Sequence, residues 1–436
     1  MERVSFRTVG CRLNQAETAQ MARQFAAAGY EVVPYGEPCD VCVIQSCAVT
    51  RKAEQESLRL SRHARRDDPH RTVVLAGCAV QALPRERVER ESAANIVADQ
   101  NSKWRLTSLL RDDRHPEEPA RAAGEPVRGE PPPHSDVLPL FDRTRATVKV
   151  QDGCEFDCAY CIVPLARGRS WSRPIQNIVE DVWRLADNGY KEVVLTGANL
   201  GCYADGTHGL VSLLRQLEEV PGLPRIRLSS IEMSTVEREV VECMADSPRI
   251  CRHLHVPLQT GDDGILAAMG RHYKAADFAR FVEFAVARVP NLGLGTDLIA
   301  GLPGETERAF ANTRALARDL PFSYLHVFPY SVRPGTRAAE MDGHVPVAVR
   351  KRRAAELIEI GEARRAAFAA RFVGQRVEVL IEGVDTDGMG RGWTGEYASA
   401  AVRGKALAAN TIVVAQGVRV TASTLFSLAP KSLNEY

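Results

Sequence analysis

The chain has 436 residues, 45% hydrophobic and 25% charged, with a formal net charge of +1. Such usage excludes a disordered or fibrous chain, and the length suggests roughly three globular domains. The near-neutral balance excludes a uniformly basic nucleic-acid binder, so any RNA must be held by local patches. The N-terminal MERVSFRTVG lacks the basic start and apolar run of a secretory signal, and no stretch is apolar enough to span a bilayer, so a cytoplasmic address without a membrane partner is expected. In that reducing compartment the 11 cysteines are expected as metal ligands, catalytic thiols or small core residues, not disulfides.

Residues 1–111 alternate β-rich segments (Val4 to Thr8, Val41 to Gln45, Val73 to Ala76, Ile96 to Ala98) with helical stretches such as Gln15 to Ala28. This predicts an open parallel α/β domain. Residues 112–143, rich in proline and charge (HPEEPARAAGEPVRGEPPPH), read as a linker. From 144 to 371 there are six candidate strands, at Ala146 to Val150, Glu192 to Thr196, Ile226 to Ser229, Leu254 to Leu258, Leu292 to Thr296 and Leu325 to Pro329. Helical patterns separate them, which predicts a partial (β/α)6 barrel ending in a long basic helix from Val347 to about Arg371. Residues 372–436 carry short strands with intervening glycines (VEVLIEG, IVVAQGVRVTAS), as in a small β-barrel. The fold class is therefore α/β with an all-β C-terminal module.

The most informative run is QDGCEFDCAYC, a CxxxCxxC of Cys154, Cys158 and Cys161 directly after the first barrel strand. Active sites of parallel barrels gather on the loops after the strand C-termini. Three thiolates there can hold three irons of a 4Fe-4S cube and leave the fourth open for chemistry. A zinc site is the alternative, but zinc usually takes four ligands and no fourth cysteine or histidine lies in the run. Three further cysteines, Cys11 in TVGCRLNQ, Cys47 in VIQSCAVT and Cys78 in LAGCAVQ, each follow a predicted strand. Parallel strands ending at one sheet edge would let them converge on a second cluster. Cys39 and Cys42 form a CxxC read as core thiols; Cys202, Cys243 and Cys251 are scattered and receive no role.

The CxxxCxxC with an aromatic residue before its third cysteine, on the first loop of a partial barrel, resembles the radical S-adenosylmethionine superfamily. Together with GCRLNQ, SCAVT, GCAVQ, CIVPLARGRSWSR and a C-terminal β domain, it is similar over nearly the whole chain to the methylthiotransferases. TGANLGCY, RLSSIE, HLHVPLQTGDDGIL, GTDLIAGLPGE and LHVFPYSVRPGTRA most resemble the branch acting on N6-threonylcarbamoyladenosine beside the tRNA anticodon. The departures are SCAVT where Asn-Thr-Cys is usual, and Ala198 and Ala300; none removes a ligand. The resemblance implies two 4Fe-4S clusters, S-adenosylmethionine, tRNA as substrate and an external electron donor of the reductase or flavodoxin-like kind. It also implies a two-part reaction, in which one S-adenosylmethionine methylates sulfur and another supplies a radical. Tyr160 would lie against the adenine.

Strand-end residues are the candidates for holding S-adenosylmethionine: Thr196, Gly197 and Asn199 after the second barrel strand, Ser230 and Glu232 after the third, Gln259 after the fourth and Asp297 after the fifth. Capping or turn formation is the alternative role for each. Arg167, Arg169 and Arg173 beyond the cysteine loop, and Arg333, are candidates for phosphate or carboxylate contacts. The C-terminal module resembles the TRAM barrel of RNA-modifying enzymes, with Arg376, Arg391, Arg403, Lys405 and Arg419 as its candidate basic face. Competing readings are methylthiolation of N6-isopentenyladenosine in tRNA or of a ribosomal-protein aspartate, and, more distantly, a zinc-stabilised RNA-binding protein without catalysis.

Overall fold

The structure is a computed structural model that describes residues 1–111 and 144–429; the expected linker at 112–143 lies outside the described residues. In the N-terminal domain β1 (Arg3–Thr8), β2 (Glu31–Val33), β3 (Val41–Ser46), β4 (Thr72–Gly77) and β5 (Ile96–Ala98) form one parallel sheet in the order β2-β1-β3-β4-β5. Side chains alternate between two faces. Phe6, Val43 and Val74 pack with Phe25 on one side, and Cys42, Ile44 and Leu75 pack with Leu58 on the other. Cys42 is thus a core thiol, and Cys39 is buried 3.1 Å from Ser5 Oγ.

Helix α1 (Arg12–Ala27) begins three residues before the expected Gln15, straight after Cys11. Its buried face carries Asn14 and Glu17, which masks the apolar periodicity from which a helix start is read. Helix α2 (Arg51–Asp67) follows β3 and the short helix α3 (Cys78–Ala82) follows β4.

The central domain has strands β6 (Arg145–Lys149), β7 (Glu192–Thr196), β8 (Arg225–Leu228), β9 (His253–His255), β10 (Gly293–Ala300) and β11 (Tyr324–Pro329). They form two parallel three-stranded sheets, β8-β7-β6 and β9-β10-β11, joined by bridges at Ile226 to Ile250 and Ser230 to His255. The expected fourth strand ends at His255 and not at Leu258. Pro257 has no N–H to give the ladder, and the Leu258 N–H donates to Thr296 Oγ1 at 2.9 Å instead of to a carbonyl.

Val148, Val193, Leu195, Ile226, Leu228, Leu254, Leu294 and Leu298 pack in one core with the surrounding helices. The alternate residues, including Lys149, Glu192, Arg227, His255, Asp297 and His326, therefore point into the barrel. That lumen is polar, unlike the packed apolar interior of an ordinary closed barrel. Beside β6, which has no strand partner on its outer side, α1 packs against the barrel.

Helix α4 (Val163–Arg167) follows the cysteine loop, and α5 (Val347–Ala370) leads into a closed five-stranded barrel. Its strands are β12 (Arg376–Val384), β13 (Met389–Thr394), β14 (Ser399–Arg403), β15 (Thr411–Thr421) and β16 (Thr424–Leu428). The turn after β13 seals the N-terminal end of the central barrel. Arg227 donates to the Thr394 carbonyl at 3.1 Å and the Gly395 carbonyl at 3.0 Å, and forms an ion pair with Glu192 at 2.6 Å. Among the described residues no helix is long and apolar enough to cross a membrane.

Candidate active site

The first cysteine set sits where parallel topology puts it. Cys11 precedes α1, Cys47 follows β3 and Cys78 opens α3. Strands β1, β3 and β4 are neighbours, so the three positions adjoin at one sheet edge. Asn14 Oδ1 lies 4.0 Å from Cys11 Sγ and 3.8 Å from Cys78 Sγ. Gly10 has φ +104, and a Cβ there would fall 2.8 Å from Cys47 Sγ; the turn needs a glycine both for its backbone and for the approach of Cys47. Burial, and then the neighbouring Cys78, pushes the Cys47 thiol up to about 12.

The second set shows the same electrostatics. Burial, followed by the charges of Cys158 and Cys154, pushes the Cys161 thiol up to about 12. Groups that resist ionisation in this way become thiolates when a metal supplies the compensating charge. Neither trio brings three sulfurs all within 4.8 Å of one another. Tetrahedral zinc with 2.3 Å bonds holds its sulfurs about 3.8 Å apart, closer than either trio stands.

The two sets face each other. Ala48 and Cys78 of the N-terminal domain pack on Ile162 and Ala166 beside the CxxxCxxC loop. Below this apolar patch lies a buried charge network. Glu17 is contacted by Lys103 at 2.8 Å, Lys149 at 2.9 Å and Arg167 at 3.0 Å, and Asp152 accepts from Arg167 at 2.8 Å. Burial alone would raise the Glu17 carboxyl, but Arg167, Lys103 and Lys149 outweigh it and hold it well below the usual range. Three cations against two carboxylates leave one positive charge in surplus, and Arg167 acts electrostatically on Cys78 and Cys11.

The expected contacts of the arginines change accordingly. Arg167 and Arg173 are buried, the latter in an ion pair with Asp181 at 2.6 Å, and are unavailable to phosphate. Arg333 is also buried, pairing with Glu54 of α2, which accepts from Arg87 at 2.6 Å as well. The Arg167 and Arg333 pairs join the N-terminal domain to the central one. Arg169 is exposed and stays open to an anionic partner.

Around the second cysteine set, Tyr160 Oη accepts from Arg271 at 2.6 Å, and Arg271 donates to Glu232 at 2.8 Å. Arg271 has no motif to reveal it; it lies in a turn that docks on the cysteine loop, where the Ala159 N–H donates to the Met269 carbonyl at 2.9 Å. Thr196 is buried at the end of β7. A Cβ on Gly197 would meet Gln151 Oε1 at 2.7 Å. The Asn199 carbonyl oxygen accepts from the Gly201 and Glu232 N–H groups at 3.2 and 3.1 Å, so this side chain fastens loops together. Gln259 adopts φ +71, fixed by backbone bonds to Asp297 and Ile299. Strain of this kind in a non-glycine residue is a mark of functional sites. Ser230 and Asp297 stand on either side of His255, with Ser230 Oγ 2.7 Å from its Nδ1 and Asp297 Oδ1 3.0 Å from its Nε2. Cys202 receives a hydrogen bond from Asn199 at 3.2 Å. Beside β6 a cavity of about 310 Å³ is lined by Arg12, Gln15, Thr147 and Val194, among others.

A partial parallel barrel with a three-cysteine loop at its strand C-termini defines a radical S-adenosylmethionine protein. Residues 148–317 match the family described as "Radical SAM superfamily", and residues 3–99 match "Uncharacterized protein family UPF0004". The chain is 36% identical to the threonylcarbamoyladenosine tRNA methylthiotransferase MtaB of Thermotoga maritima, covering 88% of this chain and 87% of that protein. It is 33% identical to the protein of the same name from Bacillus subtilis, covering 93% and 91%. The chain belongs to the MtaB family of threonylcarbamoyladenosine tRNA methylthiotransferases. Among solved structures it is similar in fold to the radical S-adenosylmethionine methyltransferase TsrM from Kitasatospora setae, with a TM-score of 0.56 and 16% identity, covering 78% of this chain and 75% of that one.

Proposed function

We propose that this protein attaches a methylthio group to carbon 2 of N6-threonylcarbamoyladenosine in tRNA. The observation that carries the reading is the meeting of two cysteine trios across Ala48, Cys78, Ile162 and Ala166, at the mouth of a polar barrel, in a chain whose relatives bear that name. Cys154, Cys158 and Cys161 would hold the cluster that binds S-adenosylmethionine, and Cys11, Cys47 and Cys78 a second 4Fe-4S cluster. When bound, these groups supply radical chemistry suited to the unactivated C–H bond of adenine carbon 2, which no side-chain acid or base can open.

The chain's own residues position and shield. Tyr160, Thr196, Gly197, Glu232 and Gln259 would hold S-adenosylmethionine; Arg271 bonds Tyr160 and Glu232, and Asn199 accepts from the Glu232 N–H. The surplus positive charge at Arg167 favours the anionic state of the neighbouring thiolates. An electron donor of the reductase or flavodoxin-like kind is required, since no side chain in the site is a reductant. The C-terminal barrel would grip RNA. Arg376, Arg391, Arg403, Lys405 and Arg419 are exposed, Arg391 in an ion pair with Asp385 at 3.1 Å, whereas Glu378 and Glu382 pair with Arg225 and Arg145 of the central barrel.

The test is a competition among tRNA bearing N6-threonylcarbamoyladenosine, tRNA bearing N6-isopentenyladenosine and the ribosomal protein, read by mass spectrometry after reaction with reconstituted enzyme, reductant and S-adenosylmethionine. A mass gain on the first substrate supports the assignment; a gain confined to either of the others overturns it.

A further inference from the structure

Inside the barrel three side chains from adjacent strands converge. His255 ends β9, Asp297 lies in β10 and His326 in β11, with Asp297 and His326 in direct register. His255 Nε2 lies 3.0 Å from Asp297 Oδ1, and His326 Nδ1 lies 3.2 Å from the same oxygen. The three ligand atoms are all within 4.8 Å of one another, and this is the one such group among the described residues.

Two features distinguish this arrangement from a buried hydrogen-bonded cluster. His255 is 6% exposed, yet its Nε2 makes no hydrogen bond, although Asp297 is near enough to accept one. His326 Nδ1 is in hydrogen-bond geometry with the same oxygen, but His255 Nε2 and that oxygen are neighbours without being aligned as donor and acceptor, which is the relation of two ligands of one ion. Ligand bonds of 2.0 to 2.2 Å at right angles set nitrogen and oxygen about 3 Å apart, matching both separations. In addition, the far nitrogen of His255, Nδ1, is 2.7 Å from Ser230 Oγ. A ligand histidine is ordinarily fixed by such an outer hydrogen bond on its other nitrogen. Tyr324 supports the ring from one side, its own ring parallel to that of His255 at 5.9 Å.

We propose that His255, Asp297 and His326 form a binding site for one divalent first-row cation, distinct from the iron-sulfur sites, with open coordination positions that receive an oxyanion of the substrate. Two imidazoles and one carboxylate suit manganese, iron, cobalt or zinc and fill only part of a coordination sphere. His326 is 49% exposed at its side chain, so the site is open to the lumen. One carboxylate against a dication leaves positive charge, which selects an anionic ligand. The threonylcarbamoyl group carries a carboxylate and fits that description; this choice of ligand rests on the substrate reading given above, whereas the cation site does not.

The experiment is manganese titration of the protein with both clusters assembled and oxidised, followed by the six-line paramagnetic resonance of free Mn²⁺. The wild type is expected to remove about one equivalent, with His326→Ala and Asp297→Asn binding at least about tenfold more weakly. Unchanged cluster absorbance confirms that the variants are folded, and the half-exposed His326 makes the first of them the safer. Wild-type binding no tighter than that of His326→Ala overturns the site. With manganese bound, N6-threonylcarbamoyladenosine is expected to alter the bound-metal spectrum and N6-isopentenyladenosine to leave it unchanged. Identical responses overturn the oxyanion role, and because uptake is measured without substrate they leave the cation result readable on its own.

Discussion

Glu17 is fully buried among Lys103, Lys149 and Arg167, and its removal would strand three cations around Asp152. Leaving a buried charge uncompensated costs about 3–5 kcal/mol. Glu17→Gln is therefore expected to lower unfolding stability by about that amount in guanidinium titration, and a loss under about 1 kcal/mol would contradict the account. The same residue sets a pH dependence. Glu17 and Asp152 are both held below their ordinary values, Asp152 because Arg167 and Lys149 outweigh its burial. A depressed folded value means that the stabilisation is fully present above the unfolded value, near 4, and is lost as pH falls through the folded one. Stability is expected to drop on acidification below about pH 4, and less steeply in Glu17→Gln. Arg271 offers a catalytic counterpart. Arg271→Gln frees Tyr160 and Glu232 while leaving the cysteines in place; KM for S-adenosylmethionine is expected to rise about tenfold with iron content unchanged. Loss of iron instead would show that Arg271 serves the fold of the cysteine loop.

At the level of elements, the turn between β1 and α1 is set by Gly10, whose left-handed backbone and missing Cβ admit Cys47. Gly10→Ala is expected to lower iron from about eight to about four atoms per chain while keeping the CxxxCxxC cluster. Full iron retention would mean that Cys47 is not held by this turn. Much of this architecture is legible without coordinates. Strand-end cysteines announce the sheet edge because parallel topology gathers strand C-termini, and the CxxxCxxC announces the barrel mouth for the same reason. Where reading from sequence falls short, a local substitution of one bonding partner for another is responsible. The fourth barrel strand stops at His255 because Pro257 and the Thr296 hydroxyl interrupt the ladder, and α1 starts early because its buried face is polar. The three buried arginines were legible as charges but not as ion pairs, since Glu17, Glu54 and Asp181 are distant in the chain or unremarkable in type. Arg271 was hidden for lack of any pattern linking its turn to the cysteine loop. The inward histidines escaped because the alternation that aims them at the lumen also fits an ordinary strand.

Across the whole molecule, three domains meet at the floor of the barrel. Tyr397 stacks on Trp393 at 4.5 Å, contacts His253 at 4.6 Å and accepts from Arg12 at 2.8 Å, so the C-terminal module touches both other domains there. The outer face of that module is expected to act on RNA without affecting chemistry. The double substitution Arg391→Glu and Arg403→Glu should weaken tRNA binding and reduce the salt dependence of the affinity by about 0.7–0.9 per lost phosphate contact. An unchanged slope would remove these residues from the interface. The central claim is that two cysteine trios serve one reaction from opposite sides of a domain seam, and the most direct measurement reads both products at once. Wild type, Cys78→Ala and Cys158→Ala are each given reductant, S-adenosylmethionine and tRNA bearing N6-threonylcarbamoyladenosine, and 5′-deoxyadenosine and the 2-methylthio nucleoside are quantified by mass spectrometry. The account requires both products from the wild type, 5′-deoxyadenosine alone from Cys78→Ala and neither from Cys158→Ala; methylthio nucleoside formed by Cys78→Ala would contradict it.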